Sequence, residues 1–164
     1  MIFSRVLPYE DIVKQLNKQD SKIAIISCNG CARICGSGGL RGANKLRFRL
    51  IRDDYKATDV IVVLYACSEP SLRELKRKVK LDSDVNVIIS LACSAGWACI
   101  TRAFPGKKVI NATEDVGLMV IDTDEGMFKL TTPYRKYERQ VGNEYKVGTG
   151  EPILEERIML EVRR

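Results

Sequence analysis

The 164-residue chain contains no histidine. That absence excludes Ser–His and Cys–His nucleophilic catalysis and every histidine-containing zinc site. Long hydrophobic runs are also missing. The longest, Val60 to Cys67, falls far short of the roughly 20 residues needed to cross a bilayer. The opening Met1-Ile-Phe-Ser-Arg5 lacks a basic stretch followed by an apolar one, so the expectation is a cytoplasmic protein without an export signal. Internal repeats and low-complexity segments are absent. With 45% hydrophobic and 29% charged residues, disorder and collagen-like order are excluded. The length favours a single domain able to bury a sizeable core.

What the chain does have is sulfur. Six cysteines without an export signal imply free thiols, metal ligands or redox groups before a disulfide framework. Twenty-seven basic residues stand against 21 acidic ones, a surplus of six that suits either an anionic partner or an ordinary soluble surface.

The hydrophobic pattern alternates between two periods. Pro8 to Lys18 reads as an opening helix, with Tyr9, Ile12, Val13 and Leu16 on one face. Short β-branched runs at Lys22–Ser27, Asp59–Ala66, Val85–Ala92 and Lys107–Ala112 read as buried strands. Between them, Leu40–Arg52, Ser71–Lys80 and Ala95–Phe104 carry helical spacing. Continuous apolar strands separated by helices predict an α/β fold: a mostly parallel sheet with helices on both faces, Rossmann- or flavodoxin-like. Leu118–Ile121 and Met127–Leu130, flanking Asp122-Thr-Asp-Glu-Gly126, predict a β-hairpin. Residues 1–132 are thus expected to form the α/β domain. Residues 133–164 form a C-terminal arm or extension packing on the domain or on a partner, with an amphipathic element near Ile153–Val162.

The cysteines fall at informative points. Cys28 follows the first of these strands, Cys67 ends the second and Cys93 ends the third. In a parallel sheet those strand ends share one edge, with neighbours about 4.8 Å apart, and open α/β sheets bind ligands there. Cys31 and Cys35 belong to the turn leaving the first strand. Five sulfurs without histidine suit a [4Fe–4S] cluster or an all-cysteine zinc site. A cubane needs four thiolates, which leaves one of Cys28, Cys31, Cys35, Cys67 and Cys93 spare. Gly30, Gly36, Gly38 and Gly39 would let backbone pass close to the centre and offer N–H groups to it. Arg33 would favour thiolate charge. Cys99, roughly 9 Å of helical rise beyond Cys93 and in apolar company, reads as core.

At these residues the sequence resembles a known family. Cys28-Asn-Gly-Cys31-Ala-Arg-Ile-Cys35-Gly-Ser-Gly-Gly39, Cys67-Ser-Glu-Pro70 and Ser90-Leu-Ala-Cys93-Ser-Ala-Gly96 look like the methylenetetrahydrofolate reductase C-terminal-domain family. Phe104 to Ala112 and the run to about Leu130 continue the likeness. The family includes small iron–sulfur subunits that partner the flavin-containing reductase of one-carbon metabolism. The resemblance implies an α/β domain whose cysteine-ligated [4Fe–4S] cluster exchanges electrons with a partner's flavin in a hetero-oligomer. Members continue into a second cysteine-rich segment, whereas this chain has no cysteine after Cys99.

Other features are blander. The basic helices, with Arg41, Lys45, Arg47, Arg49 and Arg52, then Arg73, Lys76, Arg77, Lys78 and Lys80, read as solvated faces. Phe48 is the one aromatic residue among them, short of a stacking platform, which argues against nucleic acid. Ser37 to Gly42 lacks the Gly-Lys-Ser/Thr of a phosphate loop. Glu114-Asp115 reads as a helix or turn cap. No acid–base pair, activated nucleophile or flavin motif is visible. The expectation is an electron-transfer subunit rather than the enzyme itself. Two alternatives stand beside it: a zinc-stabilised binding module, and an enzyme with an exchangeable iron.

Overall fold

A computed structural model describes residues 1–19 and 21–153. It contains eight strands and five α-helices, divided between two four-stranded sheets. The first is parallel and is built from β2 (Lys22–Cys28), β3 (Lys56–Val63), β4 (Val87–Leu91) and β5 (Lys108–Asn111), in the order β3-β2-β4-β5. The second is antiparallel, ordered β1-β6-β7-β8, from β1 (Ile2–Val6), β6 (Thr113–Asp122), β7 (Met127–Pro133) and β8 (Glu144–Lys146).

This arrangement corrects the expected fold class. The chain is not a mostly parallel, Rossmann- or flavodoxin-like sheet, because half of its strands form a separate antiparallel sheet. The overlooked element is β1. It lies in the opening segment and pairs with β6 far along the chain, Ile2 opposite Leu118 and Val6 opposite Thr113. The expected hairpin exists as β6–β7, but it is the centre of a four-stranded sheet, flanked by β1 and β8.

The parallel strands form where the β-branched runs predict them, since strands covered on both faces can be apolar at every position. Ile23, Ile25, Ile89 and Leu91 pack with Ala43, Leu46 and Leu50 of α3 (Gly39–Arg52). On the other face, Ile26, Ile61 and Ile88 pack with Leu72 of α4 (Glu69–Lys78) and Ile100 of α5 (Ser94–Ala103). α4 has a clear start: the Ser68 side chain accepts from the Ser71 N–H, and Pro70 occupies the first turn. The opening helix is shorter than its pattern suggests. α1 spans Tyr9–Val13, and then the Gln15 and Leu16 N–H groups turn back to carbonyls only three residues earlier.

The antiparallel sheet has its own core, in which the rings of Phe3, Phe128 and Tyr145 meet at centroid distances of 4.7–5.3 Å. Tyr145 belongs to the expected arm, so the described part of that arm packs on the domain through β8. The expected amphipathic element, apart from Ile153, lies outside the described residues. Among the described residues no helix is long and apolar enough to cross a membrane.

Because Phe3 is fully buried between two aromatic rings, Phe3→Ala is expected to cost about 3–5 kcal/mol in urea unfolding. Leu118→Ala, on the exposed face of the same sheet, should stay within about 0.5 kcal/mol of wild type. Equal effects would contradict the assignment of β1 to this core.

Candidate metal centre

Three loops converge where the carboxyl edge of the parallel sheet meets the antiparallel sheet. β2 ends at Cys28, whose thiol donates to the Leu64 carbonyl at 3.8 Å. The chain then enters α2 (Cys31–Ile34), a single turn that carries Cys31 on its first residue and is followed by Cys35. Cys67 lies in the loop between β3 and α4 and is exposed, while Cys93 caps α5 and is buried.

The electrostatics show how near these thiols are to one another. Burial pushes the Cys67 thiol up, and Cys28, Cys31 and Cys99 push the same way. Burial also raises Cys93, with Asp115, Cys67 and Cys31 adding to it and the Gly96 N–H opposing. Cys35 is pushed up to about 12, chiefly by burial, with Cys31 and Cys93 contributing. Cys31, Cys67 and Cys93 therefore each lie within electrostatic reach of the other two, and Cys28 and Cys35 flank them. All six cysteines are free thiols. Among the described residues, no three cysteines or carboxylates are grouped so as to hold one metal ion.

Cys35 differs from the rest. Its thiol donates to the Ile2 carbonyl at 3.6 Å and faces the Met119 sulfur at 3.6 Å, within the core of the antiparallel sheet. The strand-end pattern gave no sign of this, because both partners belong to the sheet that it did not reveal.

The glycines are accounted for locally. A Cβ on Gly38 would come within 3.0 Å of Ala32, Cys28 and Leu91, so its smallness lets α2 close onto the ends of β2 and β4. Gly30 lies under the Tyr65 ring, and Gly39 beside the Arg33 stem. At Gly36, φ is +72° and a Cβ would strike the Thr149 backbone. The N–H groups of Gly36 and Gly38 donate to the Arg33 and Ala32 carbonyls. Arg33 itself is exposed and lines a groove with Arg41 and Lys45 rather than facing the thiols.

Asp115 acts as the expected cap. Its carboxylate accepts the Ser94 N–H at 3.1 and 3.2 Å and the Ser94 hydroxyl, which holds the start of α5 beside Cys93. Glu114 pairs with Lys136. Several cations of the basic helices are paired within the chain: Arg49 with Glu10, Arg52 with Asp53, Arg73 with Glu69, and Arg77 and Lys78 with Glu74. Cys99 is buried as expected, yet its thiol donates to the Cys67 carbonyl at 3.6 Å.

The chain matches no protein-family model, no curated protein and no solved structure.

The Cys35 thiol generates a pH dependence. In the metal-free folded chain it stays protonated to about 12, whereas an ordinary cysteine ionises near 9.0. Between those values the unfolded chain has lost a proton that the folded chain keeps. Stability is therefore intact below about 9 and falls as pH rises towards 12, by about 1.4 kcal/mol per pH unit for this one group. Urea midpoints at two alkaline pH values should fall more steeply for wild type than for Cys35→Ala. Parallel falls would mean that Cys35 is not the buried ionisable thiol.

Proposed function

We propose that the protein carries one [4Fe–4S] cluster on Cys28, Cys31, Cys67 and Cys93 and works as the electron-transfer subunit of a flavoprotein complex. The observation that carries this reading is the convergence of cysteine-bearing loops from three separate strands at the carboxyl edge of the parallel sheet, where Cys31, Cys67 and Cys93 influence one another's ionisation. The donor set fits the group, being all sulfur with no histidine.

When bound, such a cluster takes up and releases one electron at a time. The chain's own residues divide the remaining tasks. Cys35 is held as a neutral thiol by the Ile2 carbonyl and by burial, which makes it the spare cysteine. Asp115 fixes the turn that presents Cys93. Cys67 is exposed, and Leu64 and Tyr65 beside it are 58% and 53% exposed, so one rim of the site is open and apolar and suits close approach by a partner. The resemblance to the methylenetetrahydrofolate reductase C-terminal-domain family supports a flavin-containing reductase as that partner.

Anaerobic reconstitution with iron and sulfide tests the ligand set. Serine at Cys28, Cys31, Cys67 or Cys93 should each abolish most of the bound iron and visible absorbance. Cys35→Ser and Cys99→Ser should retain both. Retention by all four ligand variants would overturn the proposal, and loss with Cys35→Ser but not Cys28→Ser would exchange those two residues.

A further inference from the structure

Cys99 has a close relationship to Cys67 that the cluster does not use. α5 approaches the loop after β3 through Gly96, where a Cβ would come 2.8 Å from that of Ala92 and 3.1 Å from that of Ala66. This close approach places Cys99, nearly one turn further along α5, against the residue after Ala66. The Cys99 thiol donates to the Cys67 carbonyl at 3.6 Å, and Cys99 is among the groups that push the Cys67 thiol up, after burial. Disulfides join residues whose Cα atoms are about 4.4–6.8 Å apart. The Cys99 sulfur lies against the Cys67 backbone, and a bond between them requires the exposed Cys67 side chain to rotate towards it.

The surroundings of Cys99 suit reaction with an anionic reagent. A cleft of about 320 Å³ between α4 and α5 has Cys99 in its lining, together with Glu69, Arg73, Lys76 and Arg102. Nη2 of Arg102 lies 3.3 Å from the Cys99 sulfur and also pairs with Glu69 at 3.1 Å. Three cations against one carboxylate give the mouth of the cleft a positive field, which draws anionic small molecules.

We infer that Cys67 and Cys99 form an exchangeable thiol pair, oxidised to a disulfide by a low-molecular-weight anionic disulfide that enters the cleft between α4 and α5. The Cys99 sulfur attacks one sulfur of the reagent, breaking its S–S bond and releasing one thiolate. The Cys67 sulfur then attacks the mixed disulfide at Cys99 and releases the second. Two protein thiols are oxidised, the reagent is reduced to two thiols, and the protons from Cys67 and Cys99 pass to the departing thiolates. The bond stands independently of the proposed cluster. Its consequence rests on that reading: Cys67 in a disulfide is no longer available as a ligand, so oxidation at the cleft releases iron.

The test uses the metal-free chain with oxidised glutathione as the probe, followed by alkylation and peptide mapping. A Cys67–Cys99 linked peptide is expected, absent from Cys67→Ser and Cys99→Ser and formed roughly three- to tenfold more slowly in Arg102→Gln. A Cys28–Cys31 link in its place, or glutathione adducts with no link, would overturn the pair. On reconstituted protein, the same reagent should release iron several-fold faster from wild type than from Cys99→Ser, and equal rates would overturn the switch. The two readings fail separately. A Cys67–Cys99 link in a chain that never binds iron leaves the pair standing and removes the cluster. Iron binding without that link does the reverse.

Discussion

The structure depends on holding one short segment, Cys31–Cys35, between two sheets. Ser37 joins Ser4 of β1 through a buried hydroxyl pair at 2.9 Å, and the Cys35 thiol reaches the Ile2 carbonyl of the same strand. From the opposite side the Gly148 N–H donates to the Ile34 carbonyl at 2.7 Å, and Gly150, with φ at +67°, lies directly on the Cys35 carbonyl. Gly38 closes the clamp against the ends of β2 and β4. A segment fixed on all these sides is held at the sheet edge, and Cys31 with it. Thiols held in this way would spend little conformational entropy on gathering the proposed cluster.

The parallel half of the fold was legible because its signals are local. Runs such as Ile23–Ile26 and Val60–Val63 are apolar at every position, and the intervening helices carry apolar residues at helical spacing. Of the antiparallel half, only the β6–β7 hairpin was legible. β1 is only five residues long and includes Ser4 and Arg5. Its role comes from pairing with residues more than a hundred positions away. The start of β6 was hidden by Glu114 and Asp115, and β8 is three residues in a polar stretch. Periodicity reports which face of an element is apolar, but not which distant strand will cover it.

The site divides along the same line. Cys28, Cys67 and Cys93 could be placed at one edge because the ends of their strands could be read. The special status of Cys35 could not, since Ile2 lies in the unexpected strand β1, whose pairing with β6 brings Met119 to the same thiol. Cys99 is buried, as its apolar neighbours suggest, but its proximity to Cys67 arises from the close approach of Gly96 to Ala66, a matter of packing between distant segments. The glycines drew attention to the right loop for a different reason. They allow backbone-to-backbone contact with Cys28, Leu91 and Thr149.

The central claim is that this chain gathers thiols for an iron–sulfur cluster. The most direct measurement is iron, sulfide and zinc analysis of anaerobically purified protein, with spectra before and after dithionite. About four irons and four sulfides per chain, with visible absorbance that bleaches on reduction, is the predicted result. A single zinc ion per chain and a colourless protein would contradict it and leave the cysteines as a structural metal site.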